Sequence, residues 1–177
     1  VCSSDPRDGD ASTPLTVNFS ISGLAGSGDF TVDDSPTEVT FAGTTGMIAL
    51  GNGVTSFDLN ITPTGDTTVE LDETVIVTVD AQTTGSTYNV GVPSSGTGTI
   101  ANDDQAVVSI STESETEGTS LSYTVSISNP VDVAVSATSE TQDGTALAAS
   151  DYTAISDGTV TFGANSTDGQ TVTVATG

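Results

Sequence analysis

Apolar and polar residues alternate along much of this chain. The clearest stretch is residues 15–21, LTVNFSI, in which every second residue is apolar and the residues between are Thr, Asn or Ser. Alternation with a period of two is typical of a strand with one buried face. The same pattern predicts further strands around residues 57–61, 75–79, 108–110, 121–127, 133–137 and 172–174, with short apolar strands at 47–50 and 159–162.

Clusters of Gly, Asn, Asp, Ser and Pro separate these stretches and predict turns. They lie at residues 26–28, 51–53, 93–98 and 143–144. No segment keeps a helical period. Many short strands joined by polar turns indicate an all-β fold of the antiparallel sandwich type, in which two sheets share one core.

The chain also repeats itself. Residues 15–65 match residues 133–177 in the order of their features: an alternating strand, an acidic residue followed by an aromatic and Thr (DFT and DYT), a short apolar strand, a turn and a final strand. The copies are offset by about 115 residues, a common size for one sandwich. We therefore predict two tandem modules, residues 1–104 and 105–177, with the acidic segment ANDDQ (101–105) at the junction.

Each copy has segments without a counterpart in the other. The first has no match for residues 106–129, and the second has no match for residues 66–100. We expect the opening strands of the first module and the closing strands of the second to be missing. The chain is then either a window of a longer array or a protomer that a neighbour's strand completes, since unpaired strand edges invite pairing.

The charge balance of the chain argues against several classes of function. The chain has 24 Asp and Glu, one basic side chain (Arg7) and no His, for a net charge of −23, while 34% hydrophobic residues argue against disorder. Such a chain repels nucleic acid and anionic membranes, and it has no apolar run that could insert into a bilayer. Without a general base or a cationic oxyanion site we predict that it is not an enzyme. Carboxylates favour calcium over zinc.

Several short motifs make the sequence resemble tandem Calx-beta repeats, the module known from sodium/calcium exchanger regulatory loops and from very large bacterial surface proteins. The motifs are DYTA at 151–154 with its echo DFTV at 29–32, VELDETV at 69–75, TGTIANDD at 97–104 and TEG at 116–118. Their order and spacing carry the resemblance, because each motif alone is common.

The resemblance implies immunoglobulin-like sandwiches with Ca²⁺ bound by loops that converge at one end of a module. Carried over residue by residue, it gives candidate ligands in both modules. In the first they are Asp29, Asp66, Glu70, Glu73, Asn102, Asp103 and Asp104; in the second they are Glu117 and Asp151. The second set is too small to fill a calcium shell by itself.

Three functions follow as hypotheses. The leading one is a structural or adhesive segment at the cell surface, in which calcium stiffens an array and the partners are neighbouring copies or modules of the same protein. The second is a filament protomer that polymerises by strand complementation, and the third is a calcium-sensing regulatory module. The scarcity of Lys and Arg, which suits exposure to proteases or high salt, favours an extracellular location.

Overall fold

A computed structural model describes the backbone of residues 2–3 and all atoms of residues 12–33, 38–82 and 88–177. Contacts divide the chain into two compact units. The first consists of Val1–Gly65 and Asp72–Ala101, and the second consists of Asp66–Leu71 and Asn102–Gly177. The described residues form strands, turns and loops, and none of their segments is a helix that could cross a membrane. The predicted all-β fold is confirmed.

The first unit is built on a five-stranded antiparallel sheet with the order β4-β5-β2-β8-β9, accompanied by the pairs β1-β6 and β3-β7. Its strands are β1 Cys2–Ser3, β2 Leu15–Gly23, β3 Phe30–Val32, β4 Val39–Ala42, β5 Thr45–Leu50, β6 Asp58–Leu59, β7 Ile61–Pro63, β8 Glu73–Asp80 and β9 Ser95–Ile100. The alternating residues of β2 turn one face inward, and Phe19 and Ile21 are buried. They pack in one core with Val39, Ile48, Leu50, Leu59 and Val75.

The strand β9 corrects one prediction. Residues 93–98 have the composition of a turn, but Ser95 pairs with Thr78 and Gly98 with Val75 at the edge of the five-stranded sheet. The turn assignment was wrong for residues 95–98 because backbone pairing with β8 outweighs the weak strand propensity of Gly and Ser.

The second unit contains a three-stranded sheet, β10-β11-β14, and the pair β12-β13. These strands are β10 Val108–Ile110, β11 Leu121–Ile127, β12 Val135–Ser139, β13 Gly158–Phe162 and β14 Gln170–Val174. Their core consists of Val125, Ile127, Val160 and Phe162. The strand expected at 133–137 begins two residues later, and Val133 is 55% exposed.

The internal repeat has a direct structural counterpart. In the first unit Leu15 pairs with Leu50 and Phe19 with Gly46, and in the second Val135 pairs with Phe162 and Ser139 with Gly158. Each ladder includes a glycine at a position that leaves no room for a Cβ. A Cβ at Gly46 would overlap the Phe19 ring and lie 2.7 Å from the Thr40 carbonyl oxygen, and one at Gly158 would overlap Ser139 Oγ.

We predict that Gly46→Ala destabilises the first unit by about 1 to 3 kcal/mol, since the Phe19 ring is fully buried and cannot yield without disturbing the core. Chemical unfolding followed by circular dichroism measures the change. Gly65→Ala is the matched control, because a Cβ there meets nothing within 4 Å. Equal stability of the two variants would contradict the steric explanation.

Candidate metal site

Asp29 occupies a turn that is fixed at both ends. The Gly26 N–H donates to Asp29 Oδ2 at 2.5 Å, and the Asp29 N–H donates to the Gly26 carbonyl at 3.3 Å. On the other side the Thr64 N–H donates to the Asp29 carbonyl at 2.8 Å, continuing the ladder of β3 and β7. A carboxylate has about four acceptor sites, so the bond from Gly26 leaves capacity for a cation.

Glu73 is the first residue of β8, where it pairs with Ile100, the last residue of β9. Its side chain is half-buried. The end of the strand therefore delivers this carboxylate to the loop end of the sheet, which is where a loop-built cation site requires it.

The structure brings Asp29 and Glu73 together. Each offers a carboxylate oxygen within 4.8 Å of the other, and both side chains are half-buried. Asp29 and Glu73 both belong to the first unit, so their proximity is a property of that unit alone.

Such a cluster is electrostatically unfavourable without a cation. Two carboxylates at this separation repel by about 1 kcal/mol in water and by about 3 kcal/mol at the effective dielectric of a protein surface. The whole chain has one Lys or Arg side chain, so an ion pair can neutralise few of its 24 acidic groups. That residue, Arg7, lies outside the described residues. The donor set, carboxylate oxygens only, suits a hard cation such as calcium.

The segment before Glu73 is held by backbone bonds within the second unit. Asp66 Oδ1 accepts from the Thr68 N–H at 2.7 Å, an Asx turn. Two residues on, the Val69 N–H donates to the Pro130 carbonyl at 2.9 Å, and the Asp132 N–H donates to the Val69 carbonyl at 3.1 Å. The Asp66 side chain is exposed.

The side-chain amide of Asn102, a predicted ligand, makes hydrogen bonds to two backbone groups. Its Oδ1 accepts from the Glu70 N–H at 3.0 Å and its Nδ2 donates to the Asp104 carbonyl at 2.9 Å. Asp103 is exposed and Asp104 is half-buried. Asn102 thus orders the backbone that carries Glu70 and Asp104.

Asp151 of the second unit repeats the turn of Asp29. Its Oδ2 accepts from the Leu147 N–H at 2.8 Å, and its carbonyl accepts from the Gly177 N–H at 3.0 Å. The exposed Glu117 lies in a turn whose Thr119 carbonyl accepts from Thr176 Oγ1 at 3.0 Å. Both candidates therefore lie beside the end of the same chain segment, 176–177, but they are not part of a three-carboxylate group.

Sequence reasoning missed a contact between Asp143 and Tyr152. The Tyr152 hydroxyl donates to Asp143 Oδ1 at 2.7 Å, and the Ala148 N–H donates to the same oxygen at 2.7 Å. The phenol and the Ala148 amide lower the pKa of the Asp143 carboxyl, and the Asp143 bond raises the pKa of Tyr152. In the sequence only the DYT motif pointed to this contact, because it places a tyrosine beside an acidic turn.

The fold and its acidic loops define a tandem β-sandwich protein with a candidate cation site at the end of its first sandwich. The sequence profile of the Calx-beta domain matches residues 29–105 and again residues 102–176. The chain therefore belongs to the Calx-beta family, and the predicted tandem of such modules is confirmed. The division after residue 104 stays a prediction.

Two solved structures are similar over most of this chain. They are the calcium-binding domain CBD12 of CALX1.1 and CBD12 of CALX1.2, each with 20% sequence identity, 97% of this chain covered and a TM-score of 0.42. The chain spans 66% of the first and 67% of the second. No curated protein matches the sequence.

We predict that Tyr152→Phe raises the pKa of Asp143, because the variant removes the first of the two donors that stabilise the carboxylate. Carboxyl ¹³C NMR titration of both proteins measures the shift. A carboxyl with a lowered folded pKa contributes stability above its unfolded pKa and loses it as the pH falls through the folded value. The parent protein should therefore lose this stability at a lower pH than the Tyr152→Phe variant does.

For Tyr152 the dependence of stability on pH has the opposite sign. Its folded pKa is raised, so its contribution is present below the unfolded pKa and is lost as the pH rises through the folded value. Tyr123→Phe is the control for the loss of a phenol, since Tyr123 lies in β11 away from the loop of Asp143. An unchanged Asp143 titration in Tyr152→Phe would contradict the assigned bond.

Proposed function

We propose that the first module binds calcium through Asp29 and Glu73, with Glu70 as a further candidate ligand that the family resemblance supplies. The observation that carries this proposal is the half-buried pair of Asp29 and Glu73, held close by the ladders of the first unit. Their repulsion disfavours the arrangement unless a cation lies between them. The resemblance to Calx-beta modules supports calcium as that cation.

Calcium takes about six to eight oxygen ligands, so three carboxylates leave part of the shell to other donors. Asp66, Asp103 and Asp104 are the candidates that the sequence offers, together with backbone carbonyls and water. Asn102 contributes by positioning, since its amide holds the Glu70 and Asp104 backbones. In the second module Asp151 and Glu117 provide too few carboxylates for a site of the same strength.

The role we propose for the bound ion is mechanical. A cation among carboxylates from separate loops cross-links those loops and removes their repulsion, so the module becomes stiffer. The chain then serves as a non-enzymatic structural segment of an extracellular or cell-surface protein whose partners are neighbouring modules of the same kind. The net charge of −23 supports this role, because it keeps such an array soluble and extended.

Calcium sensing is the second candidate. One of the two similar solved structures, CBD12 of CALX1.1, is described as a calcium-binding domain, and a regulatory module would use the same carboxylates. The two roles differ in affinity. A structural site in calcium-rich surroundings needs only weak binding, about 10⁻⁴ to 10⁻³ M, whereas an intracellular sensor needs about 10⁻⁷ to 10⁻⁵ M. Calorimetric titration of the chain with calcium distinguishes them.

We predict that calcium raises the thermal midpoint of the first unit and that EDTA reverses the rise. Ligand at 100 times its Kd stabilises a folded state by about 2.7 kcal/mol. Asp29→Asn and Glu73→Gln should lose most of the calcium-dependent shift in scanning calorimetry, since each removes one of the paired charges.

The exposed Asp58 and Glu38 provide matched controls, Asp58→Asn and Glu38→Gln, in the same unit. Both should keep the full calcium response. A parent protein with the same midpoint in calcium and in excess EDTA would disprove the site, and equal losses in the control variants would show a non-specific charge effect.

The mechanical role predicts a change in solution shape. Small-angle scattering of the parent chain should give a broader distribution of distances in EDTA than in calcium, at constant ionic strength. The Glu73→Gln variant should give the broader distribution in both conditions. Identical curves for the parent with and without calcium would leave binding intact but overturn the stiffening role.

A further inference from the structure

The turn that follows β5 contains the one Asn-Gly pair of the sequence, Asn52-Gly53. The Val54 N–H donates to the Gly51 carbonyl at 3.2 Å and closes the turn, so Asn52 and Gly53 are its two central residues. Gly53 has a φ of 77°, a value that residues with a Cβ rarely adopt. The backbone of the turn therefore selects a glycine, and this places a residue without a side chain directly after an asparagine.

Nothing in the described part of the chain shields these two residues. Asn52 and Gly53 are both exposed, and a Cβ built on Gly53 would meet no atom within 4 Å. Among the hydrogen bonds of the described residues, none involves the Asn52 side chain or the Gly53 N–H. The side-chain amide and the next backbone nitrogen can therefore react without first leaving a hydrogen bond or displacing a neighbour.

A side-chain amide and the following backbone nitrogen are the reactants of succinimide formation. The Gly53 nitrogen loses its proton to base and attacks the Asn52 Cγ carbon. As this C–N bond forms, the bond from Cγ to Nδ2 breaks, and Nδ2 takes up a proton and leaves as ammonia. Water then adds to either carbonyl of the ring, and opening gives aspartate or isoaspartate, whose main chain runs through the side-chain carboxyl carbon. Water is consumed and ammonia is released, without an oxidant, a metal or an enzyme.

We propose that Asn52 is a site of spontaneous deamidation in the folded protein, so that the first unit converts slowly from the amide to a mixture of aspartate and isoaspartate forms. Both products carry a carboxylate at neutral pH, and each conversion adds one negative charge to a chain whose net charge is −23. Because the attacking nitrogen must lose its proton, the conversion accelerates as the pH rises.

Each of the other asparagines lacks at least one of these conditions. Asn165 is also exposed, but the following Ser166 has a Cβ, and its N–H is held in a backbone hydrogen bond. The side-chain amide of Asn102 is bonded to two backbone groups, and Asn129 precedes Pro130, whose nitrogen has no proton to lose. In the remaining cases the next residue is bulky: Asn18 precedes Phe19, Asn60 precedes Ile61 and Asn89 precedes Val90.

The modification is compatible with the fold and lies far from the candidate metal site. Residues 51–56 are exposed, so the loop can accept an aspartate, a common turn residue, or the additional main-chain atom of isoaspartate. Leu50 pairs with Leu15 at one end of β2, and Gly23 at the other end pairs with Val75, two residues from Glu73. A strand rises about 3.3 Å per residue, so about 25 Å separates these ends. The proposal therefore stands without calcium binding.

The test incubates the full chain without calcium at mildly acidic and at mildly alkaline pH. Chymotrypsin, which cleaves after large apolar residues, releases Asn52 in the segment between Leu50 and Phe57, and mass spectrometry then follows the exchange of its amide for a carboxyl group. A protein-isoaspartate methyltransferase with a labelled methyl donor detects the isoaspartate form. We expect Asn52 to convert severalfold faster at alkaline pH, while the exposed Asn165 stays an amide as the internal control.

Asn52→Gln is the matched variant, because it keeps the amide and Gly53 but would have to close a larger ring. It should lose nearly all methyltransferase labelling of the segment between Leu50 and Phe57. A free peptide of residues 48–57 gives the rate without the fold, and the folded chain should convert at a similar rate. An intact Asn52 in the folded chain after the peptide has converted, equal conversion of Asn165, or undiminished labelling of that segment in Asn52→Gln would overturn the proposal.

Discussion

Backbone pairing between antiparallel strands positions the two carboxylates of the candidate site, Asp29 and Glu73. The chain has one cysteine and one Lys or Arg, so neither an internal disulfide nor an ion-pair network can fix its loops. The ladder of β3 and β7 extends to the Asp29 carbonyl through Thr64, and the ladder of β8 and β9 ends at Glu73 and Ile100. The two carboxylates meet because two ladders end at the same place.

The second unit shows that the acidic turn can form without the other carboxylates of the candidate metal site. Asp151 has the same backbone arrangement as Asp29, with an amide on its carboxylate and another on its carbonyl. Among the described residues no group of three metal-ligating side chains includes Asp151, whereas Glu73 lies beside Asp29 in the first unit. The acidic turn is therefore common to both units, and in the first unit the strand β8 brings a second carboxylate to it.

Period-two alternation was sufficient to predict β2, β11 and β14, because in each of them buried or half-buried residues alternate with more exposed ones. It also predicted β8, although that strand is buried or half-buried along its whole length. It failed for β9, whose Gly, Ser and Thr residues carry no alternation and are held by pairing with β8. Order along the chain also supported the match between Leu15–Leu50 and Val135–Phe162. Pairing between two distant strands can be predicted from the hydrophobic pattern only when both strands show such a pattern.

The candidate site was less accessible from the sequence. Resemblance brought Asp29, Glu70 and Glu73 into one set, but it also included Asn102, whose amide is engaged with the Glu70 and Asp104 backbones. The bond between Tyr152 and Asp143 was not foreseen, because it depends on how the loop between these two residues, nine positions apart, closes on itself. Side-chain roles of this kind are set by the path of the loop, which residue type does not specify.

The negative charge causes repulsion both over the whole chain and within the candidate site. Different kinds of ion relieve the repulsion in these two cases. Most of the 24 carboxylates are spread over loops and strand faces in water, where salt at physiological strength screens repulsion beyond about 8 Å. Asp29 and Glu73 are half-buried and separated by less than that distance, so mobile counterions screen their repulsion poorly. Monovalent salt can therefore relieve the general repulsion but not the repulsion within this pair, and for this reason the proposed site calls for a chelated divalent cation.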